Sequence, residues 1–248
     1  MRNAWAIYKK ELRAYFLSPL FWVVCSVFLC LSGYYFYTDL ASFVQFSFGQ
    51  NILENFFQVL FVDMRLGLLV TVPLLTARLL AEERKLGTIE LLYTYPLRDG
   101  EIFAGKFAAC ATVMMVMLAL TTAYPAWLYA QQPYQWTGAI AGYLGLILLG
   151  VVFISCGLFV SSLTDSQAIA GVGTLFLLLL LWIMSWNEAA LSLSVVDAVK
   201  AVSMFDHFLM FAQGVIDSGD LFYYALFTIF FSSLTLRSME SRRWRGKR

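Results

Sequence analysis

Few residues in this 248-residue chain have the type and spacing to do chemistry. The nearest approach is Gly100-Glu-Ile-Phe-Ala-Gly105-Lys106-Phe107, which almost spells a phosphate-binding loop. It departs where magnesium would be held: Phe107 stands in place of Ser or Thr, and the sequence ahead of it does not read as a strand. Lys106 therefore reads as a basic anchor at the start of a membrane span. Asp63 and Arg65 lie inside an apolar run, where charge is expensive and usually functional. Two positions apart on a helix, they do not face each other. Their partners are expected on other helices or at the outer interface, and a proton relay through Asp63 is the alternative. The four cysteines (Cys25, Cys30, Cys110, Cys156) all sit in apolar runs without a CxxC spacing, so they read as small hydrophobes. His207 is the only histidine, and nothing beside it builds a zinc site or a nucleophilic triad. The expectation is a chain with no catalytic residue, no metal and no cofactor of its own.

The densest information lies in Ala81-Glu-Glu-Arg-Lys-Leu-Gly-Thr-Ile-Glu-Leu-Leu-Tyr-Thr-Tyr-Pro96. Gly87 can end a helix arriving from upstream. Thr88 is a good N-cap for a new one, and Glu90 falls in its first turn, where the helix dipole favours an acid. Pro96 stops this helix after two turns. A short helix with acids at one end and Ile89, Leu92 and Tyr93 to bury suits docking into a groove on another protein. A plain charged loop is the other reading of the same residues.

These residues must be positioned by a bilayer. The chain is 60% hydrophobic and 13% charged, with mean hydropathy +0.73. Soluble domains carry about 45–50% apolar and about 25% charged residues, so this composition belongs to an integral membrane protein. Each crossing needs about 20 apolar residues, and six stretches qualify: 20–38, 56–80, 103–130, 136–162, 167–186 and 221–237. The first is too long for a signal-peptide core and ends in Gly33-Tyr-Tyr-Phe-Tyr, so it reads as a retained span. Four Lys/Arg fall in 2–13, five in 78–106 and six in 237–248, fifteen of the seventeen in the chain. On a six-span path these share one side, which places both termini in the cytoplasm. Trp5, Tyr8, Tyr15 and Trp22 then mark the inner interface, and Tyr34, Tyr35, Tyr37, Trp127, Tyr129, Tyr134, Trp136, Trp182 and Trp186 the outer one.

Three stretches are not simple spans. Residues 1–19 carry Ile7, Leu12, Tyr15 and Phe16 on one helical stripe and stop at Ser18-Pro19, an amphipathic helix lying on the inner leaflet. Residues 187–218 are too polar to cross and too apolar to be free. Val195, Val199 and Val202, then Phe205, Phe208 and Phe211, repeat at helical spacing, and Gly214 and Gly219 interrupt the pattern. They read as two short helices dipping into the outer leaflet. Residues 238–248 form a basic cytoplasmic tail. Pro73 predicts a kink in the second span, and Gly138-x-x-x-Gly142 allows close helix packing. The fold class is thus an all-α membrane protein with six transmembrane helices in 20–237, an N-terminal interfacial amphipathic helix and short outer re-entrant helices.

At Pro73-Leu-Leu-Thr-Ala-Arg-Leu-Leu-Ala-Glu-Glu-Arg-Lys-Leu-Gly-Thr-Ile-Glu-Leu-Leu92 the chain resembles the permease subunits of type-2 ABC transporters, especially the gliding-motility-associated kind. The likeness extends to Lys10-Glu-Leu-Arg-Ala-Tyr-Phe-x-Ser-Pro19, to Ser161-Ser-Leu-Thr-Asp-Ser-Gln167 and to Phe211-Ala-Gln-Gly-Val-Ile-Asp217. The resemblance implies a half-transporter in a bacterial cytoplasmic (inner) membrane. It would pair with a second permease copy or paralogue and work with a separate ABC ATPase subunit, which would hold the ATP and magnesium. An accessory membrane or periplasmic subunit and the lipid bilayer complete the expected partners; nucleic acid is not among them. It further implies that Glu82, Glu83, Gly87, Thr88, Glu90, Leu92 and Tyr93, in the coupling segment 81–100, contact the ATPase, with Asp165 in a second, smaller contact. Phe208, Phe211, Gly214 and Asp217 would belong to the outer re-entrant element shaping the exit. The alternative function is a non-transporting membrane scaffold that passes ATPase work to partner proteins.

Overall fold

A computed structural model of the chain describes residues 2–46, 52–87, 98–131, 136–183 and 203–245. Among them are nine helices and no strand: α1 (Arg2–Leu17), α2 (Pro19–Phe46), α3 (Ile52–Lys85), α4 (Asp99–Thr121), α5 (Ala123–Gln131), α6 (Trp136–Leu163), α7 (Gln167–Ile183), α8 (Met204–Ala212) and α9 (Ser218–Arg245). The coupling residues Thr88, Glu90, Leu92 and Tyr93 lie outside the described residues, as does the first of the two expected outer helices.

Five stretches are long and apolar enough to cross a membrane: Pro19–Phe43, Phe56–Lys85, Asp99–Gln131, Trp136–Leu163 and Ser218–Ser241. The sixth expected span, 167–186, is described only as the 17-residue α7. At 1.5 Å per residue that helix covers about 25 Å, short of a hydrocarbon core of about 30 Å.

Prolines set the helix boundaries. Pro19 occupies the first position of α2, where its missing N–H is no loss, and α1 closes ahead of it with the Ser18 amide donating to the Tyr15 carbonyl at 3.1 Å. The expected span 103–130 lies within the single apolar stretch Asp99–Gln131, whose helix is interrupted at Thr122, because Pro125 cannot donate to the Thr121 carbonyl and its ring crowds that group. The chain breaks there, and the Thr122 amide turns back to Ala119 at 3.2 Å. By contrast α3 runs on through Pro73. It ends where Gly87 takes φ +68°, the left-handed conformation that closes a helix, with the Leu86 amide on Glu82 and the Gly87 amide on Arg84. The last helix continues past 237 to Arg245, so most of the expected basic tail is helical.

α3 and α6 form the centre, with 67% of their apolar windows buried, against 28% for α2 and α9 on the flanks. Positions 61, 76 and 80 of α3 meet 142, 157 and 161 of α6, a constant offset, so the two helices run parallel. Their approach depends on missing side chains. A Cβ on Gly142 would lie 2.1 Å from the Phe61 ring, and one on Gly157 would lie 2.1 Å from the Thr76 hydroxyl. Of the expected Gly138/Gly142 pair, only Gly142 does this; a Cβ on Gly138 meets nothing within 4 Å. The outward faces of α7 and α9 remain apolar, at Ile169, Val172, Phe176, Phe222, Ile229 and Phe230.

Two alanine substitutions test this packing. Gly157→Ala should destabilise the detergent-purified protein by about 1–3 kcal/mol through overpacking. Gly138→Ala should leave stability unchanged or raise it by up to about 1 kcal/mol through helix propensity. Equal shifts in the two thermal unfolding midpoints would refute the packing assignment.

Candidate functional site

The end of α3 that carries Glu82–Gly87 is built from a buried lysine outward. Lys106 sits one-third of the way along α4 with its side chain 1% exposed. A charge so placed is costly unless paired and hydrogen-bonded. Its ammonium donates to Glu11 Oε1 at 2.9 Å and to the Leu79 carbonyl at 2.7 Å, and lies 3.0 Å from Glu83 Oε1. All three N–H groups are thus engaged inside the protein. What reads in sequence as a basic anchor is an internal pin joining α1, α3 and α4.

Lys10, more exposed, closes the cluster with Glu83 at 3.1 Å and Glu11 at 3.7 Å. Burial pulls its pKa down, but Glu83 and then Glu11 outweigh that, so it stands above its ordinary value. One turn along α1, Tyr15 is fully buried; its hydroxyl donates to the Leu75 carbonyl at 2.8 Å, and the Arg78 guanidinium lies 4.0 Å from its ring centre. Burial holds that phenol's pKa well above the usual range. The inward face of α1 is therefore Glu11 and Tyr15 packed against α3 and α4. A stripe of Ile7, Leu12, Tyr15 and Phe16 resting on lipid would leave no place for Glu11. Asn3 on Glu101 at 3.3 Å and Tyr8 on Thr112 at 3.2 Å extend the seam, and α1 runs alongside the start of α4.

The α6–α7 corner completes this end. Ser161 inserts its hydroxyl into the α3 backbone, accepting from the Leu80 and Ala81 amides at 3.2 and 3.1 Å and donating to the Ala77 carbonyl at 3.2 Å. Beyond it Arg84 reaches Asp165 at 3.8 Å. The two separate segments singled out in the sequence, around Glu82 and around Asp165, are thus neighbours. Their residues play different parts. Glu82 is exposed, Asp165 is 69% exposed, and Glu83 points inward with a side chain only 13% exposed.

The chain from which these helices are built matches the model of the ABC-2 family transporter proteins over residues 5–236. It belongs to that family. It is also 30% identical over 104 residues to a protein described as a probable multidrug ABC transporter permease, YbhR, from Escherichia coli K12, and equally to its counterpart in strain O157:H7. That match covers 42% of this chain and 28% of the relatives' length. Family membership and the five long apolar stretches together make this a multi-pass transmembrane protein of the ABC-2 family.

In this ABC-2 family protein the second group of expected residues lies away from the α3 end. Asp63 and Arg65 share α3 without pairing; Arg65 is buried among aromatic rings, and Asp63 is an electrostatic neighbour of Asp39 on α2. Phe208 and Phe211 are fully buried on α8 and press against Gly145 of α6, while Gly214 takes φ +85°, and a Cβ there would lie 3.2 Å from Gly138 Cα. Asp217 is exposed, and its carbonyl accepts from the Leu221 amide.

Sequence reasoning quoted Lys10, Glu11, Arg84 and Ser161 within motifs without giving them these contacts, passed over Asp39, and gave Lys106 the wrong surroundings. It also left His207 without a companion, whereas its Nδ1 meets Asp220 Oδ1 at 2.5 Å and its ring stacks on Tyr223. The one available signal was an acid, Glu11, inside the buried stripe of an amphipathic helix.

Removing the two lysines separately tests the pin. Lys106→Met leaves two carboxylates short of their buried partner and should cost about 3–5 kcal/mol. Lys10→Met removes an exposed partner and should cost less than about 1 kcal/mol. Unfolding in detergent that shows equal losses would refute the ranking.

Proposed function

We propose that this ABC-2 protein is the transmembrane permease subunit of an ATP-driven transporter, of the gliding-motility-associated kind. It pairs with a second permease copy or paralogue, and a separate ATPase subunit holds ATP and magnesium. Both termini are cytoplasmic, and the membrane is the bacterial inner membrane. α7 with the residues after it forms the sixth crossing, and α8 is the inner part of an outer re-entrant element. The depth at which Phe208 and Phe211 meet Gly145 supports that placement.

The ATPase docks on the exposed end of α3 at Glu82, on the segment from Thr88 to Tyr93, and more weakly at Asp165. The observation that carries this reading is the Lys106 pin: a push on the end of α3 is delivered through Glu83 to α4 and α1 together. The Arg84–Asp165 contact and the Ser161 insertion deliver the same push to α6. ATP-driven closure of the motors would then rock these helices as a block and open a path between the paired permeases. A rigid connection is what such transmission requires, since a loose side-chain contact would absorb the movement.

The geometry separates two acids that look equivalent in sequence. With the cognate ATPase co-expressed, Glu82→Ala should reduce co-elution and permease-dependent ATP hydrolysis while leaving the unfolding midpoint of the permease unchanged. Glu83→Ala should lower that midpoint. If no ATPase co-purifies with the wild type, or Glu82→Ala assembles and hydrolyses like wild type, the docking assignment fails.

A further inference from the structure

Arg65 is 6% exposed, and no hydrogen bond or ion pair reaches it among the described residues. Its guanidinium carbon lies 4.0 Å from the ring centre of Phe205, 5.7 Å from Phe208 and 5.8 Å from Trp182. These rings satisfy the charge over its faces. They do nothing for the N–H groups that project from the edge of the plane, and Nη1 is buried with no acceptor. Beside it lies a cavity of about 20 Å³, walled by Leu69, Leu149, Phe153, Leu178 and Trp182, with Arg65 the sole charged side chain among the described residues that line it. That is room for one atom-sized group beside the guanidinium, since a single water needs about 10–15 Å³. The cavity is open on one side rather than enclosed, so an apolar body can extend from it along the walls. Asp63, two residues away on the same helix, and the Tyr224 hydroxyl are its electrostatic neighbours, but no hydrogen bond or ion pair joins either to it among the described residues.

A buried cation, capped by rings on its faces, with an unfilled donor beside a small apolar chamber, is a receptor lacking its anion. We propose that Arg65 binds one monovalent anionic group in this chamber, either a free halide or the carboxylate of an amphiphile whose apolar body lies along the aliphatic walls. Water fits the volume but not the chemistry: it needs two to four polar partners, and the described lining of the chamber offers one. The site lies apart from the Lys106 cluster, so it stands or falls independently of ATPase docking.

The test is thermal unfolding of the full chain, purified in a neutral detergent and a low-salt buffer. It is titrated with sodium chloride, sodium acetate or sodium decanoate, with decanol as the uncharged control. At least one anion should raise the wild-type midpoint saturably, as ligand binding to the native state requires. A response to chloride identifies a free-ion site; a response to decanoate without one to acetate or chloride identifies the acid of an amphiphile. Arg65→Met should abolish the response. Should that variant not fold, Arg65→Lys replaces the planar fork with a point charge, and half-saturation should need about tenfold more anion. The proposal is overturned if no anion outperforms decanol on the wild type. It is equally overturned if Arg65→Met responds like wild type, or if Arg65→Lys saturates at the wild-type concentration.

Discussion

A lysine ammonium cannot sit 1% exposed in a helix bundle unless its charge and all three of its donors are met. The arrangement around Lys106 follows from that constraint. One carboxylate must come from α1, one from α3, and the third donor takes the Leu79 carbonyl near the end of α3. Once these are in place the ends of three helices have fixed relative positions. Glu83 is then committed to the interior, and Glu82, one position earlier, is turned outward. A buried pair of this sort contributes little net stability against an apolar substitute. What it supplies here is registry: the helices meet at one relative height.

The second constraint is steric. α3 and α6 run parallel at a distance set by Gly142 and Gly157, where any side chain would occupy the space of Phe61 or Thr76. Close packing of this type is how helices associate where lipid tails are as apolar as leucine and there is no hydrophobic drive. The same closeness lets Ser161 reach the α3 backbone, and so places the α6–α7 corner against Arg84. Pin and glycine contact thus converge on one end of α3, from two sides. Arg65, well away from that end, obeys a different logic: its faces are covered by aromatic rings, and its edge is left for something else.

Much of this was legible from local chemistry. Membrane character, the break at Ser18-Pro19 and the stop at Gly87 all depend on a residue's own conformational or transfer preferences. Elements governed by two preferences at once were harder. The 103–130 stretch reads as one span and lies in one, but Pro125 interrupts its helix at Thr122. The stripe on α1 reads as lipid-facing until Glu11 is seen to lie within the buried face. Glu82 and Glu83 are indistinguishable by type, and only the direction of the α3 face separates them.

The sequence by itself determined that the chain would be helical, would lie in a bilayer, and would turn at Ser18-Pro19 and at Gly87. Those properties come from hydropathy summed along one segment and from the φ angles single residues allow. Only the tertiary structure decided which charges meet: Glu11, Glu83 and Lys106 are far apart in the chain, as are Arg84 and Asp165, or His207 and Asp220. Pairing depends on which helices are neighbours and at what height. Both are set by how the faces of α1, α3, α4 and α6 fit together, and no segment read alone carries that information.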